Sequence, residues 1–287
     1  MSRWFLVGLA RLLGVMLVAS FVGALLMRAA PGFSSDEQEL SLGLSTRSIE
    51  AIRHEHLAQS NIPRFYAHYL KSLVHGDLGR SLSFNQPVRE LLRDRLPVTL
   101  RSLALALSLG WLLGLALAVV SQTLGSRLLA VVTDGLSGTF ISTPAAALAL
   151  IFVLFRLPPA WAAALLIFPK IYRYTRNLLL ESYERPHVLT AMAKGAGRWR
   201  ILWWHVAPVV APQLVALLGV SISIAIGVLL PIEVVCDIPG IGQLAWHAAQ
   251  SRDLALLVNL TVVVTFLTVC ATTLSDAAHR GFFRRLA

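Results

Sequence analysis

"VTLRSLALALSLGWLLGLALAVV", residues 98–120, decides the class of this chain, because its 23 residues carry one charge, Arg101, and no polar and apolar alternation. At 1.5 Å per residue such a helix rises about 34 Å, enough for a hydrocarbon core of about 30 Å. In lipid every backbone N–H and C=O needs a partner within its own segment, which a helix supplies and an isolated strand does not. Five further tracts of the same kind lie to either side: 5–27, 139–155 with Pro144 inside it, the short 160–168 continuing as a partly wet helix through Tyr172, 209–232, and 254–274. The chain therefore reads as all-α, a polytopic membrane protein with six transmembrane helices.

Composition agrees with that reading. The 287 residues are 56% hydrophobic and 14% charged, with a mean hydropathy of +0.69, which excludes an ordinary soluble domain. Basic residues collect in the short loops on the cytoplasmic side of a membrane. Lys170, Arg173, Arg176, Arg185, Lys194, Arg198 and Arg200 stand in 170–207 against Glu181 and Glu184, and Arg3, Arg11, Arg280, Arg284 and Arg285 lie near the two ends. The loop between the last two spans holds Glu233, Asp237, Arg252 and Asp253, a net negative set. Both termini and the 170–207 segment are thus predicted cytoplasmic. The net charge of +10 is an orientation signal with some attraction to anionic lipid, not a nucleic-acid footprint, since it is spread along membrane boundaries.

A cleaved signal peptide is the competing reading of the first tract, because "MRAAPG" places small residues after an apolar run. Arg11 splits that run, and an odd number of remaining spans puts the basic segment on the wrong side. The two cysteines, Cys236 and Cys270, form neither a disulfide framework nor a metal cluster by spacing. The long loop 29–97 is charge-balanced, with eight acidic and eight basic residues from Pro31 to Pro97, and is long enough to hold helices of its own. Two amphipathic helices are predicted there, one with Ile49, Ile52 and Leu57 on a face and one with Phe65, Tyr69, Leu70 and Leu73, ending near Gly76. His54, Glu55 and His56 point to different faces of a helix, so they read as solvated side chains rather than as metal ligands, and His68 and His75 join them.

Three blocks carry a resemblance. "GDLGRSLSFNQPVRELLRDRLPVTLRSLALAL" (76–107) has a Gly-Asp-x-Gly turn, a serine stretch, Pro-Val and an amphipathic piece before a span. "RYTRNLLLESYERPHVLTAMAKGAGRWRILWWHVAP" (173–208) places Leu189, Thr190 and Ala191 ahead of Gly195, then a basic and aromatic stretch up to Pro208. "PIEVVCDIPGIGQLAWHAAQSRDLALL" (231–257) sets Glu233, Pro239, Gly240, Gly242, Arg252 and Asp253 before the last span. Together they resemble the permease subunits of bacterial ATP-driven (ABC) importers of the dipeptide, oligopeptide and nickel class. Three departures stand out: Leu189 replaces an acidic residue, Pro186-His187 stands where that class favours an acidic-aromatic pair, and 155–173 is shorter than that class usually has.

The resemblance implies one transmembrane permease domain over 1–287, made of a first span (1–28), an extracytoplasmic loop (29–97) and a five-span core (98–287) with a coupling segment at about 181–208. It implies residence in the bacterial inner membrane, with a second, similar permease subunit, two ATP-binding subunits and an extracytoplasmic solute-binding protein as partners, and no cofactor. It assigns ATPase coupling to Leu189, Thr190, Ala191, Lys194, Gly195, Ala196, Gly197, Arg198 and Trp199, and a pathway or subunit contact to Glu233, Pro239, Gly240, Gly242, Arg252 and Asp253. Peptides are the expected cargo, with nickel or another small solute as the alternative within the class.

On the residues alone, no Gly-x-x-x-x-Gly-Lys-Ser/Thr occurs, so ATP binding through a P-loop is excluded and any hydrolysis belongs to another subunit. Gly195 suits a tight turn between two short helices, Thr190 to Lys194 in one and Arg198 onward in the next. The competing reading of 189–207 is a solvated loop, basic by topology; Trp199, Trp203 and Trp204 argue against it, with the last two expected at the membrane interface. Glu233 is expected to face a cavity, a partner subunit or Arg252. Asp134 is expected to cap a helix or pair with Arg127, and Val88, Leu91 and Leu92 to lie on the membrane surface while Arg89, Arg93 and Arg95 reach headgroups. A secondary transporter or channel working without ATP is the reading from another class; nearly charge-free spans without inverted repeats oppose it. An intramembrane enzyme lacks the paired acids or zinc motif it needs.

Overall fold

A computed structural model describes residues 10, 14–23, 25, 69, 71–73, 75–124 and 127–286, and the side chains among them up to residue 278. The expected helix carrying Ile49, Ile52 and Leu57, the His54–His56 cluster and most of the loop 29–97 lie outside the described residues. So do Arg3, Arg11 and most of the first tract. The described residues form helices α1 (Gly14–Gly23), α2 (Val88–Leu124), α3 (Arg127–Ser142), α4 (Ala145–Leu154), α5 (Pro159–Tyr183), α6 (Pro186–Ala193), α7 (Arg198–Ile201), α8 (Ala207–Val235), α9 (Ile241–Gln250) and α10 (Leu254–Leu286). Between α7 and α8 lies one π-helical turn, Leu202–Val206. Among the described residues the sole β feature is an isolated bridge between Arg80 and Pro87.

Three helical stretches are long and apolar enough to cross a membrane: Val88–Leu124, Arg198–Val235 and Leu254–Ala278. A fourth span is reached if α3 and α4 count together, but they meet at 99°. The continuous helix expected over 139–155 is therefore corrected to two. Pro144 explains the break, since it has no N–H for the α-helical bond to the Phe140 carbonyl and its ring clashes with that oxygen. Thr143 N–H takes the Phe140 carbonyl instead, at 3.3 Å. A second correction concerns α2, which starts at Val88, ten residues ahead of the expected 98–120 tract, so that Pro97 lies inside the helix. Val88, Leu91 and Leu92 are buried and do not lie on a lipid surface.

The chain divides into two compact units, Met1–Leu96 with Leu244–Phe266, and Pro97–Gln243 with Leu267–Ala287. In the first, a loop at 77–87 is tightly hydrogen-bonded. Gly76 and Gly79 have φ of +76° and +74°, which glycine tolerates without a Cβ clash. The Asp77 carboxylate accepts the Gly79 N–H at 2.8 Å, and Asn259 donates to the Leu78 carbonyl at 2.9 Å. Tyr69, buried, donates its hydroxyl to Asn259 Oδ1 at 3.1 Å.

In the second unit α5 is the central element, packed against α3, α4 and α8. The helix expected from 160 through Tyr172 runs on to Tyr183; Pro159 sits at its first position, where a missing N–H costs nothing. Gly110 and Gly114 of α2 let that helix approach α5. A Cβ at Gly114 would stand 2.8 Å from the Ile171 side chain, and one at Gly110 3.3 Å from Ile167. A polar seam joins α3 and α5: the Tyr172 hydroxyl lies 2.6 Å from Thr133 Oγ1 and donates to Asp134 Oδ1 at 3.0 Å. Arg176 pairs with the other Asp134 oxygen at 3.4 Å, and Arg173 Nε donates to Ser137 Oγ at 2.8 Å. Asp134 thus sits within α3 and is held by α5, neither capping a helix nor pairing with Arg127.

Candidate functional site

The segment 184–210 is built from two short helices and a turn. Pro186 opens α6, with Arg185 in extended conformation before it. Two faces of α6 then part company. Val188 is buried in a cluster with Phe168, Tyr172, Leu179, Ile201, Leu202 and Val206, and Ala191 is buried as well. Leu189, Thr190, Met192 and Lys194 are exposed. Fully burying an aliphatic side chain such as Val188 is worth about 1.5–3 kcal/mol, so the inner face fixes α6 and the outer one is left to contact something else.

Lys194 closes α6, its N–H returning to the Thr190 carbonyl at 3.1 Å. Gly195 follows with φ +77°, and the Ala196 N–H bonds the Ala191 carbonyl at 3.1 Å. This is a glycine C-cap: a left-handed residue lets the chain turn back and satisfy the helix's last carbonyls. No atom would meet a Cβ at Gly195 or Gly197, so Gly195 is required by backbone conformation alone. Arg198 begins α7 and donates to the Thr123 carbonyl at the end of α2, 2.8 Å away. Burial pushes the Tyr183 phenol up, opposed by the neighbouring Arg198 guanidinium. Trp199, Trp203 and Trp204 are 60%, 65% and 77% exposed, an apolar area that a solvated loop has no use for.

The π turn joins this segment to α8. The Ala207 N–H reaches back five residues to the Leu202 carbonyl. Pro208, next in the chain, has no N–H to give the Trp204 carbonyl, so the α pattern has no continuation there. His187 Nε2 lies 3.4 Å from the His205 carbonyl.

A second constellation lies at the other end of α8. Glu233 is fully buried, and its Oε2 accepts the Gly242 N–H at 2.7 Å. A Cβ at Gly240 would fall on the Glu233 carboxylate, and one at Gly242 on the Leu230 carbonyl. The turn Pro239–Gly242 therefore wraps the acid at van der Waals contact, and only glycine fits at 240 and 242. The Ile241 N–H is taken by Thr99 Oγ1 of α2 at 2.8 Å. Among the described residues Glu233 Oε1 has no hydrogen-bond partner within bonding distance. Instead of lining an open cavity, the carboxyl is enclosed by its own turn.

Arg252 and Asp253 belong to the first unit. Arg252 has φ +54° in the turn after α9. Asp253 is buried, and its Oδ2 accepts from Ser81 Oγ, Ser83 N–H and Ser83 Oγ at 2.5, 3.1 and 3.0 Å. Its Oδ1 accepts the Leu256 N–H at 3.0 Å, capping α10. Beside it is a cleft of about 380 Å³ lined by Ser83, Phe84, His247, Gln250 and Ser251. Among the described residues there is no group of three or more His, Cys, Asp or Glu that could hold a metal ion.

The structure thus brings Leu189, Thr190, Lys194, Gly195, Gly197, Arg198 and Trp199 onto one continuous exposed segment, with Ala196 half-buried and Ala191 turned inward. It gathers Glu233, Pro239, Gly240 and Gly242 into one turn. Sequence reasoning missed Met192, whose position one helical step from Leu189 was the available signal, and Thr99, Ser81 and Ser83, whose partners lie far along the chain.

Comparison with known proteins bears on this arrangement. Residues 110–287 match a family described as "Binding-protein-dependent transport system inner membrane component". A Brucella suis biovar 1 (strain 1330) protein named for a peptide transport system permease is 28% identical over 97% of each chain. A peptide ABC transporter permease of Sinorhizobium fredii (strain NBRC 101917 / NGR234) is 25% identical over 94% of this chain and 96% of its own. The oligopeptide transport system permease protein OppB of Escherichia coli (strain K12) is 29% identical over 83% of this chain and 84% of its own.

Proposed function

We propose, because this chain belongs to the family of binding-protein-dependent transport system inner membrane components, that it is the permease subunit of an ATP-driven importer of peptides and that 186–199 couples it to a separate ATPase. As a member it is a multi-pass protein of the inner membrane and a permease of an ABC transporter rather than an enzyme. Peptide cargo is supported by the names of relatives that align along nearly their whole length. In our reading six spans cross the membrane with both ends cytoplasmic, and 29–97 is extracytoplasmic.

The observation that carries the coupling assignment is the division of α6 into a buried face and an exposed one, closed by Gly195. A short helix fixed on its inner side by Val188 and Ala191 moves with α5 and with α8 through the π turn. Whatever seats its outer side, Leu189, Thr190, Met192 and Lys194, transmits motion to two membrane helices at once. The partners in this reading are two ATP-binding subunits, a second permease and an extracytoplasmic solute-binding protein. On the opposite side of the membrane, the Glu233 turn and the Asp253 clamp are the assigned contacts for the second permease or the binding protein.

The test is Gly195→Val in the complete transporter. A β-branched residue at φ +77° is strained by roughly 1–2 kcal/mol and reshapes the turn. Association with the ATPase, read as co-purification in mild detergent, should fall while membrane insertion is unchanged. Unchanged association defeats the coupling assignment, and transport by the solitary chain without any ATPase defeats the importer reading.

A further inference from the structure

Lys170, Arg173 and Arg176 recur at i, i+3 and i+6 along α5, which puts three cations on one side of the helix. The lower two are answered by α3: Arg173 by Ser137 and Arg176 by Asp134. For Lys170 no ion pair or hydrogen bond is found among the described residues, and its side chain is exposed into a cleft of about 120 Å³. The cleft's walls are Phe140 and Thr143 at the α3–α4 break, Leu166 beside the lysine, and Ile224 and Val228 of α8.

The depth of this cleft follows from α8. The apolar stretch 209–232 has its midpoint near residue 220, so Ile224 and Val228 lie about 5 and 11 Å beyond it. Both fall within the half-thickness of a hydrocarbon core, about 15 Å. Lys170, counted by sequence in the cytoplasmic segment 170–207, is likewise near the middle of α5 (Pro159–Tyr183), which moves it to membrane depth. An ammonium at that depth is costly, by about 2.5–3.5 kcal/mol on insertion scales, and marks a water-filled path or a ligand rather than lipid.

We propose that Lys170 is a substrate-reading residue of the translocation path, binding the carboxylate of the solute as it passes the α3–α4 break. This rests on the peptide-importer reading above and names the group on the cargo that is recognised. The sign is set by the ammonium. The size of the cleft admits an end group and not a whole peptide, which points to the terminal carboxylate. Thr143 stands at the break with its hydroxyl donating to the Thr139 carbonyl at 2.8 Å, leaving oxygen lone pairs that can hold a water beside the bound group. Arg173 and Arg176, being engaged with α3, do not compete for the anion. The apolar walls raise the strength of a charge-assisted bond by keeping the local dielectric low.

The experiment uses the complete transporter in liposomes with its binding protein saturated, and measures uptake of trialanine and of trialanine amide, whose terminal carboxylate is masked. The variants are Lys170→Met, which removes the charge, and Lys170→Arg, which keeps it. Dividing the acid-to-amide uptake ratio of the parent by that of a variant cancels any preference of the binding protein. A hydrogen bond to a charged group corresponds to a factor of about 10–100, so the quotient should be about 10 or more for K170M and about 1 for K170R. A quotient of about 1 for K170M, or equal values for the two variants, overturns the proposal while leaving the importer reading intact. Absence of uptake of both peptides by the parent refutes peptide cargo, and the proposal with it.

Discussion

Replacing Asp253 by alanine removes a carboxylate that ties the 77–87 loop to the start of α10. Four donors lose their acceptor at once: Ser81 Oγ, Ser83 N–H, Ser83 Oγ and Leu256 N–H. The two hydroxyls lie 3.2 Å apart and can turn toward each other, so the lasting loss is the two N–H groups. Leu256 N–H is buried and costs about 1–3 kcal/mol when left without a partner, whereas Ser83 is exposed and its N–H can turn to water, which puts the destabilisation at about 2 kcal/mol. At 1.36 kcal/mol per decade, the opening equilibrium of the loop should rise about thirtyfold. Amide hydrogen exchange reads this directly, because Ser81 N–H and Val88 N–H are bonded within the loop, to the Gln86 and Gly79 carbonyls. Trypsin cleavage after the exposed Arg80 offers a second readout on the purified transporter. Ser81→Ala keeps both N–H bonds to Asp253 and removes one hydroxyl, with it the acceptor of the part-buried Phe84 N–H, so it should change exchange by about fivefold, near 1 kcal/mol. The reasoning is refuted if Asp253→Ala exchanges within about threefold of the parent, or if Ser81→Ala has as large an effect.

Further outcomes are equally specific. Gly114→Ala should lower thermal stability in detergent by about 1–3 kcal/mol through overpacking against Ile171, and Gly110→Ala by less; the reverse order contradicts the helix contact. Glu233→Gln should be at least as stable as the parent, because it retains an acceptor for the Gly242 N–H and takes an ionisable group out of full burial. Glu233→Ala should lose about 2–4 kcal/mol in the same melting assay, and equal losses for the two variants rule out the enclosed carboxyl as the cause. Tyr172→Phe should cost about 1–2 kcal/mol by depriving Asp134 of a buried donor, whereas Arg127→Ala should be neutral within about 0.5 kcal/mol; a large loss in Arg127→Ala restores the pairing that the fold contradicts.

The sequence made the membrane class and the glycine turn legible for different reasons. Apolar tracts such as 98–120 announce themselves by composition alone, and a positive-φ position between two short helices favours glycine wherever it occurs, so Gly195 could be read locally. Asp134 could not. Its partner Arg176 is more than forty residues away across α3 and α5, and a reading confined to near neighbours offered Arg127 instead. Helix α3 itself was hidden because Thr133, Asp134, Gly135, Ser137 and Gly138 break the apolar pattern. Those polar groups serve the seam with α5, and only the packed structure shows it. The bend at Pro144 was half legible: the residue was noticed inside an expected span, but its consequence, a right-angle turn rather than a kink, depends on the helices that receive the two halves. Glu233 was recognised as a costly group, while the glycines that enclose it were matched to a motif without the contact that explains them.

The π turn at Leu202–Val206 has a bearing on how this protein can change over time. An α-helix turns about 100° per residue, and a π turn is an α-helix holding one residue too many. Deleting any single residue there would restore ordinary winding and swing Arg198 and Trp199 about 100° around the axis, with α6 carried along. The spacing between the glycine turn and Pro208 is therefore a phase setting. Substitutions within 202–206 should be tolerated far better than a length change of one, and chains that keep the same partner should keep the same count.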